Sequence, residues 1–189
     1  MPQGQAALEK AVENDPDNYW YSQGLANLYQ QQNETEKAKK LLEGMATRFP
    51  DKLDPLYALL EIYNQGEEYD KVIATLNRLE EKMGKNEQIS MEKFRIYLQM
   101  KDNKNAFNEI ESLVAEYPMD TRYQVVLGDV YLQNGKKEEA YNLYRKVLDA
   151  EPDNAMAMYS LASYYDATGQ KELYQQQLDT LLLNKKVAP

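Results

Sequence analysis

Tyrosine recurs every 34 residues in this chain: Tyr29, Tyr63, Tyr97, Tyr131 and Tyr165 stand at one spacing, with neither insertion nor deletion. A fixed period of this length is the mark of like units stacked in a row, each of which packs only on its neighbours. Other positions keep the same register. Nine residues after each tyrosine come Ala38, Val72, Ala106, Ala140 and Tyr174, and four further on Leu42, Leu76, Ile110, Tyr144 and Leu178. Three beyond those stand Met45, Leu79, Leu113, Val147 and Leu181, and four before the tyrosines Leu25, Leu59, Lys93, Leu127 and Leu161. Pro16, Pro50, Pro118 and Pro152 form one more column, with Gly84 in its gap. Reuse of one tyrosine position accounts for a chain with 16 Tyr but only three Phe and one Trp.

The intervals between columns give the local structure. Leu127 and Tyr131 are four apart, and Ala140, Tyr144 and Val147 step by four and three, the intervals that align side chains on one helical face. Between them "QNGKKEE" makes a turn in which Gly135 supplies a positive φ. Pro152 ends the second helix, because it offers no amide hydrogen and restricts the residue before it, and Asp153 or Asn154 caps the next one. Each unit is therefore helix, turn, helix, turn. A lone unit cannot bury its apolar faces, so neighbours must stack.

The stretch "LGDVYLQNGKKEEAYNLYRKVLDAEP" resembles a tetratricopeptide repeat in its Leu-Gly, Tyr, Gly, Ala, aromatic, aliphatic and Pro columns, and "LANLYQQQNETEKAKKLLEGMATRFP" and "LASYYDATGQKELYQQQLDTLL" are similar. The resemblance divides the chain into repeats at 19–52, 53–86, 87–120, 121–154 and 155–189, the last with a C-terminal tail. Residues 1–18 fit the second helix of a truncated preceding repeat, through Leu8, Ala11 and Pro16. With Leu181, Leu182, Leu183 and Val187 near the other end, this leads us to expect a piece of a longer array. The implied fold is all-α, a right-handed superhelical solenoid of stacked antiparallel helix pairs. Repeats two and three are expected to be irregular. Lys93 occupies an aliphatic column, Gly84 replaces proline, and Leu60 faces Val72 where one side chain should be small. Phe94 against Ala106 and Ala162 against Tyr174 look like compensating volumes.

In that family the first helices line a groove that holds partner segments. The matching positions here are Trp20, Gln23, Asn27 and Gln31 in repeat one, and Tyr57 and Gln65 in repeat two. Met91, Arg95 and Gln99 follow in repeat three, Arg122, Val125 and Gln133 in repeat four, and Tyr159 in repeat five. Aromatic and Met anchors amid amides suit a peptide or helical segment of a protein partner. Gln31, Gln65, Gln99 and Gln133 form a ladder of groups that both donate and accept hydrogen bonds, or simply mark helix ends. The clamp with which chaperone-binding members hold a terminal carboxylate is not expected. Its places carry Gln23, Asn27, Ala58, Gln88 and Glu92, of which only Asn27 fits.

Composition argues against other classes. A net charge of −9 and the lack of any basic stripe disfavour nucleic acid as a partner. No apolar run is long enough to insert in a membrane. The chain has no His and no Cys, so imidazole bases, thiolates and the usual zinc ligands are missing, and neither a cofactor nor a metal is expected. Adjacent acids such as Glu67-Glu68, Glu80-Glu81 and Glu138-Glu139 do not face one another on a helix and read as solvated faces, not as an enzyme's carboxylate pair. Glu36 with Lys40, and Glu67 with Lys71, are spaced for ion pairs. A non-catalytic protein-interaction module is the leading reading, with scaffolding by self-association of the solenoid ends as the alternative, and an accessory domain of an enzyme third. "TRFP" and "AEYP" resemble the helix endings of bacterial cell-envelope members of the family.

Overall fold

The computed structural model describes residues 2–187 and holds eleven helices, with no strand among the described residues. They are α1 (Pro2–Asn14), α2 (Tyr19–Gln31), α3 (Thr35–Arg48), α4 (Asp54–Gln65), α5 (Tyr69–Met83), α6 (Glu87–Gln99), α7 (Asn103–Glu116), α8 (Thr121–Gln133), α9 (Lys137–Ala150), α10 (Ala155–Ala167) and α11 (Lys171–Val187). They form two compact units that meet in sequence between Ile89 and Ser90. In the first, each helix from α1 to α5 packs on the next. In the second, α7 to α11 do the same, and α10 also lies against α8. Both are stacks of helical hairpins. Among the described residues no helix is long and apolar enough to cross a membrane.

The periodic columns are the core. Ala38, Val72, Ala106 and Ala140 are all fully buried, as are Leu42, Leu76, Ile110 and Tyr144, then Met45, Leu79, Leu113 and Val147. Their counterparts on α11, Tyr174, Leu178 and Leu181, are only half-buried, while Leu182 and Leu183 are exposed. The side chain of Val187 lies outside the described residues. Hydrophobic burial thus follows the 34-residue register through each unit and weakens on the last helix.

The turns repeat as well. Asn33, Glu67, Lys101, Gly135 and Gly169 occupy one column, and all five have positive φ, between 54° and 76°. The expectation at Gly135 holds, and the first three repeats impose the same left-handed turn on residues with a side chain. Helix starts follow a column too. Asn18, Asp120 and Asn154 cap α2, α8 and α10, and Asn86 accepts the Ile89 amide at 2.9 Å. Asn154, not Asp153, is the cap of α10. Repeat two has Lys52 in that column, and α4 instead opens with Pro55 in its first turn.

In the first two repeats a polar contact uses the tyrosine hydroxyl, which phenylalanine would lack. The Tyr29 hydroxyl donates to Glu9 at 2.8 Å, and Tyr63 donates in the same way to Glu43, each carboxylate 20 residues earlier on the preceding second helix. Burial first, then the Glu9 hydrogen bond, pushes the Tyr29 phenol up to about 12. In the second unit Tyr131 is likewise raised, by burial and then by Glu111. Lysines lie over these rings: Lys37 is 5.7 Å from the Tyr29 ring, Lys71 5.4 Å from Tyr63 and Lys136 5.6 Å from Tyr131. Surface ion pairs fall one register away from the expected one. Lys37 pairs with Glu34 and Lys39 with Glu36, while Lys71 pairs with Glu68. Glu67 is held in the left-handed turn and does not line up along the helix.

Two irregular positions are resolved by their partners. Lys93 is buried because its ammonium lies 2.8 Å from the Glu109 carboxylate, itself only 14% exposed. The matching pairs are Leu25 with Leu41 in repeat one and Leu127 with Leu143 in repeat four, while Leu59 faces Thr75 and Leu161 faces Gln177, so the ion pair stands where repeats one and four carry two leucines. Phe94 and Ala106 share one buried cluster, as large against small requires. In repeat four the small position, Gly128, meets the ring of Tyr144 and not Ala140 as the spacing suggested. A Cβ there would stand 2.6 Å from Tyr144 Cε1. Without it the ring lies against α8, and its hydroxyl reaches Asp129 at 2.7 Å.

Candidate functional site

In the first unit the candidate positions lie on α2 and α4. Trp20 is 74% exposed and Tyr57 46%, while the neighbouring column residues Tyr19, Leu25 and Leu59 are buried. The Tyr19 hydroxyl ties the two helices together. It lies 3.0 Å from Gln23 Oε1 and 3.3 Å from Asp54 Oδ2, and burial followed by the Asp54 charge raises its pKa. Gln23 in turn donates to Asn27 at 3.1 Å. A run of oriented amides thus leads along α2 from the aromatic end. Tyr19 also holds Trp20 edge-on, with ring centroids 5.3 Å apart, and Lys52 lies 5.0 Å over the Tyr19 ring. Tyr57 donates to the Met83 sulfur at 3.3 Å. The part played by Tyr19 was not read from the sequence; its column holds Leu53, Glu87, Thr121 and Ala155 in the other repeats, so the only available signal was its place one residue before Trp20.

In the second unit the positions are less uniform. Val125 is fully buried in a cluster with Ala140, Tyr144 and Leu161, so it belongs to the core and not to an accessible face. Met91 is half-buried against the Phe94 cluster. The neighbour-packing side of these helices has taken both. Arg95 pairs with Glu92 on its own helix, and Arg122 with Asp120 at 2.6 Å, an interaction that holds the Asp120 carboxyl below its ordinary range. Tyr159, 67% exposed, is the open aromatic on α10. Asp129, accepting from the buried Tyr144, connects α8 to the core. Burial, then Asp129, drives the Tyr144 phenol well above the usual range.

Gln31, Gln65, Gln99 and Gln133 are each the last residue of their helix, and all four are exposed. Gln65 donates back to Glu61 at 3.3 Å. Among the described residues no cluster of three potential metal ligands occurs.

Known proteins place this arrangement. Two sequence profiles of the tetratricopeptide repeat match the chain, one over residues 2–61, the other over 91–146 and 125–173. Cellulose synthase operon protein C of Pseudomonas fluorescens is 32% identical over 75 residues, which is 40% of this chain and 6% of that protein. The TPR repeat-containing protein YpiA of Bacillus subtilis is 23% identical over 120 residues, 64% of this chain and 28% of that one. The chain therefore spans only a minor part of either relative. Among solved structures, MamA from Desulfovibrio magneticus RS-1 superposes with a TM-score of 0.61 at 17% identity, covering 87% of this chain and 93% of that one. YrrB, described as a TPR protein with an unusual peptide-binding site, gives 0.61 at 19% identity over 96% of this chain and 93% of its own. Profile matches at both ends, the all-helical hairpin stacks and these superpositions agree: the chain is a member of the tetratricopeptide repeat family.

Proposed function

We propose that this chain is a non-catalytic protein-interaction module that holds a peptide or helical segment of a partner on its first helices, without a carboxylate clamp. One observation carries the reading: Trp20 and Tyr57 stand open on α2 and α4 beside hydrogen-bonded amides. Large aromatic rings are costly to leave in water and are the side chains that dominate binding energy when a partner covers them. Gln23 and Asn27 are held in place by Tyr19, so little ordering is required of them when a peptide backbone arrives. Relatives of this fold include YrrB, whose description gives it a peptide-binding site. On this reading Gln31 and Gln65 are the polar surround of these anchors in the first unit, and the second unit offers its own positions, Arg95, Gln99, Arg122, Gln133 and Tyr159, to which Met91 contributes only its open edge.

The test is selection of peptides from a random library on the full chain, followed by affinity measurement on Trp20→Ala and Tyr57→Ala. Each substitution should weaken binding about tenfold or more, the loss expected on truncating an aromatic anchor. Unchanged affinity in both variants would refute the groove. A second reading, self-association through α11, is favoured by Leu182 and Leu183, which are 59% and 62% exposed. It requires a molar mass that rises with concentration and falls back on Leu182→Lys with Leu183→Lys.

A further inference from the structure

The first unit contains a second candidate site on the opposite set of helices. A cavity of 440 Å³ opens between α1 and α3, with the buried faces of α2 as its floor. Its lining is mainly apolar, from Val12, Leu25, Leu41, Met45 and Phe49. The size falls within the range of pockets that enclose a drug-sized ligand or a bulky side chain. None of the groove positions on α2 or α4 contributes to it.

Gly44 leaves its part of this lining without a side chain. Its column holds Arg78, Ser112, Lys146 and Thr180 in the other repeats, and a Cβ at Gly44 would meet nothing within 4 Å. Glycine in the middle of a helix lowers helix stability, so its presence at that point has a cost that a filled position would avoid.

Charge selects the occupant. The chain carries −9 overall, yet the charged residues in this lining are Lys37, Lys40 and Arg48, with no carboxylate. Lys37 holds Glu34 at 2.8 Å and Arg48 holds Asp17 at 2.7 Å, but both are exposed pairs of the kind that exchange readily. Lys40 makes no ion pair among the described residues. From Lys37 to Arg48 the cations run along about 16 Å of α3, at the rise of an α-helix. A single headgroup would meet one of them; a segment with several carboxylates meets all three.

We propose that this cavity docks an acidic amphipathic helix of a partner protein, which seats one Leu-sized or larger side chain over Gly44 between carboxylates a turn to either side. The site works independently of the aromatic groove, and its failure would leave that reading untouched.

The experiment uses the full chain and its Gly44→Arg variant, which places the side chain of the next repeat in the pocket. Circular dichroism should show the variant folded, with a melting temperature no lower than that of the parent. A random library of helical peptides is selected on the parent and counter-selected on Gly44→Arg. The survivors should be rich in Asp and Glu around a recurrent Leu, Ile or Phe. They should bind Gly44→Arg at least about tenfold more weakly than the parent, and Trp20→Ala and Tyr57→Ala within about twofold of it. Affinity should also fall with added salt and on Lys40→Glu. Recovery of neutral or basic sequences, of none that distinguish the two chains, or of peptides lost on Trp20→Ala would each overturn the proposal. So would saturable binding of dodecanoate with no acidic peptide recovered, which would assign the cavity to a fatty carboxylate instead.

Discussion

Gly128→Ala should destabilise the second unit through one contact. The added methyl would lie 2.6 Å from Tyr144 Cε1, 3.1 Å from Cδ1 and 3.2 Å from Cζ. Ordinary contact begins at 3.4 Å, so the ring must withdraw by about 0.8 Å, taking 2.6 from 3.4. It has little room to do so. Tyr144 is fully buried, and its hydroxyl is fixed by Asp129 at 2.7 Å. Overpacking of this kind costs about 1–3 kcal/mol. Strain in the Asp129 hydrogen bond adds up to about 1 kcal/mol. Replacing a mid-helix glycine by alanine returns about 1 kcal/mol. The net loss is about 2 kcal/mol, a fall in melting temperature of roughly 4–8 °C for a chain of this length. Urea unfolding followed by far-ultraviolet circular dichroism measures it. The decisive comparison is a cycle with Tyr144→Leu, which recreates the combination that the first hairpin carries as Ala26 and Leu42. Leucine has no ring for the methyl to strike, so the two changes should couple favourably by about 1 kcal/mol or more. Additivity within about 0.5 kcal/mol, or a neutral Gly128→Ala, would show that the ring and the glycine are not matched to one another.

Three other perturbations test the fold. Glu67→Gly and Lys101→Gly remove a side chain from a left-handed turn at φ 54° and 59°, and each should raise stability by about 0.5–1 kcal/mol, with Gly135→Ala moving the opposite way in the same denaturation assay. The Tyr29 phenol, raised from 10.0 to about 12, favours the folded state fully below pH 10, and that contribution is lost as pH climbs through 12. Stability should therefore decline across that alkaline window, and more shallowly in Tyr29→Phe, with tyrosinate absorbance as the readout. Lys93→Leu alone strands the largely buried Glu109 carboxylate and should cost about 3 kcal/mol, whereas Lys93→Leu with Glu109→Leu should match or exceed the parent, by calorimetry.

How much of this could be read beforehand depended on whether a position announces itself through residue type. The apolar columns did, because burial at Leu42 or Val147 admits few side chains and so leaves the same letters at each repeat. The turn did so only at Gly135 and Gly169; Asn33, Glu67 and Lys101 adopt the same backbone in silence, since the stack around them supplies what the residue lacks. Lys93 looked like a defect because its partner, Glu109, lies on the other helix of the hairpin, where no local pattern joins them. The candidate groove was legible as positions and less so as surface. Trp20, Tyr57 and Tyr159 are open, but Val125 has the same spacing as Tyr57 and Tyr159 and is buried, because packing between neighbouring helices decides which flank of a first helix stays wet.

These exceptions have a common form. Ion pair for leucine pair, Gly128 with Tyr144, and Phe94 with Ala106 are each settled within a single hairpin. Core contacts in a stack run within a unit and to its neighbours only, so a change compensated inside one unit leaves the register of the rest intact. Selection can then alter one hairpin at a time while the 34-residue period persists. Gly44 is the one residue of its column without a side chain and has no such partner: nothing in the first hairpin fills the space beside it, and the cavity remains open. Space left open beside an apolar lining in this way can take a side chain from another molecule.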